Sequence, residues 1–143
     1  MGQFYESASD AGRRPRVLCI DDDPDISRSL EIRLTPLGVE VLRAVHGMHG
    51  FWLAMTERPD LIITDMRMPQ GHGDYVAECL KANSDTSHIP IFVLTGTREA
   101  GVEQRMKKLG VERFFTKPVE FDYLRSRLAE YIDLVQEELE PVA

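Results

Sequence analysis

Five short apolar runs, separated by stretches of helical period, constrain this chain more than any other feature. The runs fall at 17–20, 39–42, 61–64, 91–94 and 113–116. They are rich in β-branched or aromatic side chains and bounded by Pro, Gly or Asp, as strands are. The middle runs are apolar throughout, which suits parallel strands covered on both faces. Between the first two, Ile26, Leu30, Leu34 and Leu37, with Ile32 less well placed, give a helical stripe, opened by Pro24 and Asp25 and closed by Gly38. Further helices are predicted at about 47–57, 74–82, 99–109 and 121–139. The last carries Phe121, Leu124, Leu128, Ile132, Val135 and Leu139 at spacings of three and four. Strands alternating with helices in this way build βαβ units with right-handed crossovers. The expected fold is therefore α/β, a five-stranded parallel sheet with helices on both sides.

The 143 residues are enough for one domain. Residues 1–15 read as a flexible polar N-terminal tail, 16–136 as the folded domain and 137–143 as an acidic C-terminal tail, with no output domain expected beyond it. No apolar run approaches the ~18 residues that a membrane span needs, and the first residues hold no apolar signal segment. No membrane association is expected. Cys19 and Cys79 are too few for a disulfide framework and read as small core residues, so the expected compartment is the reducing cytoplasm. Acidic residues outnumber basic ones, 24 to 17, for a net charge of -7. That balance speaks against direct binding of nucleic acid, whose phosphates need a basic surface.

In open α/β sheets the ligand site lies outside the carboxyl ends of the strands. Asp21 and Asp22 follow the first run, Asp65 follows the third, Thr95 ends the fourth and Lys117 follows the fifth. The second run ends in Arg43 and Ala44 and offers nothing comparable. Carboxylates gathered at one edge repel each other unless a cation compensates, and an all-oxygen donor set suits Mg²⁺. A carboxylate can also attack phosphorus, a lysine can neutralise phosphoryl oxygens, and a threonine hydroxyl can donate to one. Together these parts describe in-line phosphoryl transfer to an aspartate, assisted by metal and lysine. Taken singly they are weak, since an Asp-Asp pair is usually a cap or a solvated turn. Specificity comes from their order along successive strand ends.

The segments Val17-Leu-Cys-Ile-Asp-Asp-Asp-Pro24, Leu61-Ile-Ile-Thr-Asp-Met-Arg-Met-Pro69 with Gly73, Val93-Leu-Thr-Gly96 and Phe114-Phe-Thr-Lys-Pro118 resemble the receiver domain of two-component response regulators. The resemblance spans about residues 16–135. It implies a doubly wound, flavodoxin-like (βα)5 fold with strand order 2-1-3-4-5. It also implies Asp65 as phospho-acceptor, Asp22 as a direct Mg²⁺ ligand, Asp21 as one acting mainly through water, and the backbone carbonyl of Arg67 completing the protein ligands. Thr95 resembles the switch hydroxyl, Lys117 the phosphate-pairing lysine and Phe114 the aromatic switch residue. Gly73 matches the loop glycine after the acceptor, and the Lys117–Pro118 bond is expected to be cis.

By the same resemblance, the phosphoryl donor is a histidine kinase or histidine phosphotransfer protein. Output goes to a downstream protein or a second copy of the chain through the face of helix 4, strand 5 and helix 5. The domain is a regulatory phospho-acceptor, catalysing only its own phosphotransfer and dephosphorylation. Arg67 and Thr97 are expected to border the path of the hydrolytic water and to set a slow loss of phosphate; the alternative is an Arg67 that points to solvent and pairs with a nearby acid.

Departures from the family pattern are mild: Gly96 where Ala or Ser is usual, Phe114 without the hydroxyl of the common Tyr, and Asp23 for Glu. A haloacid-dehalogenase-type hydrolase also uses an aspartyl nucleophile after its first strand, but it needs Asp-x-Asp-x-Thr, and Asp21-Asp-Asp-Pro-Asp25 lacks the Thr. A phosphorylation-independent interaction module on the same fold is the third reading. His46, His49, His72 and His88 show no metal-ligand spacing shared with carboxylates, and Trp52 with Phe51 is read as packing.

Overall fold

The computed structural model describes residues 12–66, 73–96 and 100–135. The strands are β1 (Arg16–Ile20), β2 (Glu40–Ala44), β3 (Leu61–Thr64), β4 (Ile91–Thr95) and β5 (Arg113–Thr116). They alternate with α1 (Pro24–Leu34), α2 (Gly47–Glu57), α3 (Gly73–Ala82), α4 (Val102–Lys108) and α5 (Phe121–Leu128). All strands are parallel, in the order β2-β1-β3-β4-β5.

Local chemistry sets the starts and stops. The Asp23 side chain accepts from the Asp25 amide and Pro24 opens α1, so neither wastes a donor. After Leu34 a 3₁₀ turn (Thr35–Leu37) takes over and ends at Gly38, whose φ of 85° is left-handed backbone that glycine adopts freely. Ile32, off the apolar stripe by spacing, is 62% exposed.

Side-chain alternation along the strands builds two cores. Leu18, Ile20, Ile62, Ile91 and Val93 face α2, α3 and α4 and pack with Ala54, Val76, Leu80 and Met106. Val17, Cys19, Ile63, Phe92 and Leu94 face α1 and α5 and pack with Leu30, Leu34, Leu124 and Leu128. The central strands are buried on both faces, as their unbroken apolar runs require.

Two helices are shorter than their period suggests. The fourth, expected at 99–109, is Val102–Lys108, and residues 97–99 lie outside the described set. The last, expected to run to 139, leaves helical geometry after Leu128. Tertiary contacts draw the chain off the helical path: Tyr131 packs edge-on to Phe92 at 5.1 Å, Ile132 is buried, and the Val135 amide donates to the Leu37 carbonyl at 2.8 Å. Ile132 and Val135 thus keep helical spacing beyond the helix, Ile132 buried and Val135 exposed beside the 3₁₀ turn. Residues 136–143, including the expected acidic tail, and residues 1–11 of the expected N-terminal tail are outside the described residues.

Candidate functional site

Strand register brings the polar residues to one edge. Ile20 pairs with Ala44 and with Thr64, so the residues that follow β1 and β3 emerge side by side. Thr95 pairs with Thr116, which delivers Lys117 to the same level. The ladder continues one residue beyond each strand: the Asp21 amide donates to the Ala44 carbonyl (3.0 Å), Asp65 to Ile20 (2.9 Å) and Lys117 to Thr95 (2.8 Å). The backbones of these three residues are therefore held by the sheet, not by a loop.

The side chains converge. Lys117 Nζ donates to Asp21 Oδ2 at 2.9 Å and to Asp65 Oδ2 at 3.1 Å, bridging two buried carboxylates. The Asp23 amide donates to the other Asp21 oxygen at 2.9 Å. Carboxylate oxygens of Asp21, Asp22 and Asp65 all lie within 4.8 Å of one another, with Asp22 the exposed member. Burial pushes the Asp21 carboxyl above its ordinary pKa despite its bonds to Lys117 and the Asp23 amide. For Lys117 burial acts downward, but the bonds and charges of Asp21 and Asp65 outweigh it and hold the ammonium above its usual value.

Thr95 is fully buried at the end of β4. Phe114 is partly buried against the core that faces α4, the same sheet face that Val93 occupies beside it. Thr95, two residues beyond Val93, points to that face too, so hydroxyl and ring are diagonal neighbours on adjacent strands. A Cβ added to Gly96 would meet nothing within 4 Å, so the departure from Ala or Ser there is sterically neutral. The Lys117–Pro118 bond is cis. Arg67 and Thr97 lie outside the described residues, as does His72.

One charged residue near the end of β2 has a role that the sequence reading missed. Arg43 donates to Ser27 Oγ (2.9 Å) and the Pro24 carbonyl (3.2 Å) and pairs with Glu31 at 3.5 Å. It ties α1, and with it the Asp21–Asp23 turn, to the sheet. The signal was an arginine between Leu42 and Ala44, next to the strand's end. His46 proved structural: its Nδ1 accepts from the His49 amide and caps α2. Cys19 is buried, whereas Cys79 is only half-buried. Phe51 packs against the core, but Trp52 does not; it is 60% exposed, because α2 seats its small residues inward.

A lysine bridging two aspartates, a third carboxylate beside them and a buried threonine at the next strand end make a donor set that could hold a hard cation, with a carboxylate oxygen chemically able to attack phosphorus. Residues 17–129 match the model of the response regulator receiver domain. The chain belongs to that family.

The relatives agree. The DNA-binding dual master transcriptional regulator RpaA of Synechocystis is 34% identical over 114 residues, 80% of this chain and 47% of that protein. The polar-differentiation response regulator DivK of Brucella anthropi is 31% identical, covering 73% of this chain and 86% of its own. The chain spans about half the length of RpaA and most of DivK. Among solved structures, Vibrio cholerae chemotaxis protein CheY4 superposes with a TM-score of 0.77 at 27% identity, over 83% of this chain and 99% of that one. Family and fold are thus those the sequence implied. Among the described residues no helix is long and apolar enough to cross a membrane.

Proposed function

We propose that this receiver domain takes a phosphoryl group from a phosphohistidine onto Asp65 and uses it to reset a partner-binding surface. The observation that carries the reading is Lys117, held between Asp21 and Asp65 with Asp22 within reach of both carboxylates. In the reaction a carboxylate oxygen of Asp65 attacks phosphorus, an O–P bond forms, the N–P bond breaks, and the departing imidazole keeps the electron pair and takes a proton. Lys117 then turns from the Asp65 carboxylate to the new phosphoryl oxygens, its ammonium already positioned by Asp21. Thr95 donates its hydroxyl to another of those oxygens.

The donor set fits Mg²⁺: three carboxylates crowd one point, and a single ammonium leaves them with excess negative charge. Asp21, Asp22 and Asp65 would hold the ion, with the Arg67 carbonyl as the expected fourth protein ligand. Bound there, Mg²⁺ supplies charge neutralisation for the phosphoryl oxygens.

Output is assigned to the face of α4, β5 and α5. Movement of the Thr95 hydroxyl toward phosphate vacates space beside Phe114, and the ring follows, shifting the population between two packings. The reader of that face is a downstream protein or a second copy of the chain. The donor is a histidine kinase or phosphotransfer protein, and the setting is the cytoplasm. An open groove of about 710 Å³ between α1 and α5, lined by Ile26, Leu30, Arg33, Pro118 and Phe121 and reaching Lys117, gives such a donor a way in.

Incubation with autophosphorylated histidine kinases carrying radiolabelled phosphate tests the reading. Label should move to this chain, persist in acid and be released by hydroxylamine, as an acyl phosphate is. Label resistant to hydroxylamine, or phosphate release with no acid-stable label ever found on the chain, would contradict it.

A further inference from the structure

We propose that α2 is a self-association surface, on which two copies of this chain pair antiparallel across a two-fold axis at Trp52. The helix is built with its bulk outward. Gly47, Gly50 and Ala54 are its buried residues, and a Cβ on Gly50 would collide with the Ile20 side chain of β1. The backbone therefore sits close on the sheet; Phe51 and Leu53 pack at the flanks of that contact, and Met48, Trp52 and Met55 are left outside it. Met48 is 68% exposed, Trp52 60% and Met55 36%, spaced four and three residues apart along one stripe, with Val45 exposed just before the helix.

Neighbouring α3 continues the surface. Tyr75 is exposed and Cys79 half-buried one turn on, and Asn83 Nδ2 lies 4.0 Å from Met55 Sδ. The exposed parts of these side chains amount to on the order of 500 Å², given ~150–250 Å² for a whole aromatic side chain. Of the large apolar side chains exposed among the described residues, half lie on or next to α2, whereas the face of α4, β5 and α5 offers only Tyr123.

Charge and symmetry select a second copy as the occupant. Residues 44–56 contain no Asp, Glu, Lys or Arg, in a chain of net charge -7. Two copies can meet here without opposing like charges, which most other surfaces of an acidic molecule would force. The stripe is also nearly palindromic, with Trp52 flanked by a methionine on either side. An antiparallel two-fold sets Trp52 on its equivalent and Met48 near Met55, the self-complementarity an isologous interface needs. It also places the positive end of each helix dipole beside the negative end of the other. Burying the patch from both sides removes on the order of 1,000 Å², the lower bound for a specific interface, so the dimer is weak, with a dissociation constant on the order of 100 µM.

Trp52 is the only tryptophan in the chain and so reports on its own interface. Sedimentation equilibrium and tryptophan emission are followed on the full chain from roughly 5 to 500 µM, bracketing that constant. The mass should rise toward twice that of the monomer as the emission moves to the blue. Trp52→Glu and Met48→Lys should weaken association by about tenfold or more, with unchanged circular dichroism and acetyl phosphate labelling, while Tyr123→Glu should leave it intact. A monomer over the whole range with emission independent of concentration overturns the proposal. A dimer that survives Trp52→Glu overturns it as well and moves the interface to another face. Emission that shifts only when a different protein is added does the same and gives the surface to that partner.

Discussion

Lys117 is the residue on which the site's charge balance turns. Its partners Asp21 and Asp65 have side chains only 3% and 8% exposed, so water does little to screen them from each other. Lys117→Met leaves two buried carboxylates without their cation. Without divalent metal it should cost about 1–3 kcal/mol, the penalty for stranding a buried polar group. Added Mg²⁺ should return much of that loss. Thermal melts with and without metal check it; identical melts of parent and variant in EDTA would contradict it. The two thiols give a second prediction. Burial drives the Cys19 thiol up to about 12, and its sulfur is out of solvent, so it stays protonated and inaccessible through neutral and mildly alkaline pH. Alkylation of the native protein at pH 8 should modify Cys79 alone, with Cys19 reacting only after denaturation. Rapid double labelling would contradict the burial. Residue identities at the site were legible because each follows an apolar run. Arg43 was not, since its role depends on α1 lying over β2, a tertiary fact that no local pattern carries.

At the scale of elements, the strands and the starts of helices were readable because local chemistry fixes them. Asp23 and Pro24 open α1 wherever the chain goes next, and four-residue β-branched runs have few alternatives. Helix ends and helix faces were less readable. The apolar period at Ile132 and Val135 pointed to a longer α5, but Phe92 and the Leu37 carbonyl claim that segment. On α2, apolar residues on every side hid the fact that glycine and alanine take the inner face, so Trp52 was misplaced. The switch belongs to this scale too. Thr95 and Phe114 share one sheet face on adjacent strands, and α4 covers that face with Val102 and Met106. Backbone amide shifts on adding beryllofluoride with Mg²⁺ should therefore cluster in residues 95–125, beyond the loops that touch the acceptor. Shifts confined to α1 and α2 would remove the support for this output face. Thr95→Ala should shrink the response in β5 while leaving the metal-dependent shifts at Asp21 and Asp22.

For the molecule as a whole, fold and site are one construction. A parallel sheet in the order β2-β1-β3-β4-β5 sets the ends of β1, β3, β4 and β5 level, and the acidic cluster with its lysine is what stands on them. The order of strands came from family resemblance, because βαβ alternation alone fits several doubly wound sheets. The cluster is self-repelling without a cation, so a divalent ion that binds the folded state should raise its stability by mass action, and Asp22→Asn should weaken that gain. The measurement that bears most directly on the central claim is intact mass after incubation with acetyl phosphate. The parent with Mg²⁺ should gain one phosphoryl group, mapped to Asp65. The parent in EDTA and Asp65→Asn with Mg²⁺ should gain none. Equal labelling of Asp65→Asn, or full labelling in EDTA, would contradict a metal-assisted transfer to that carboxylate.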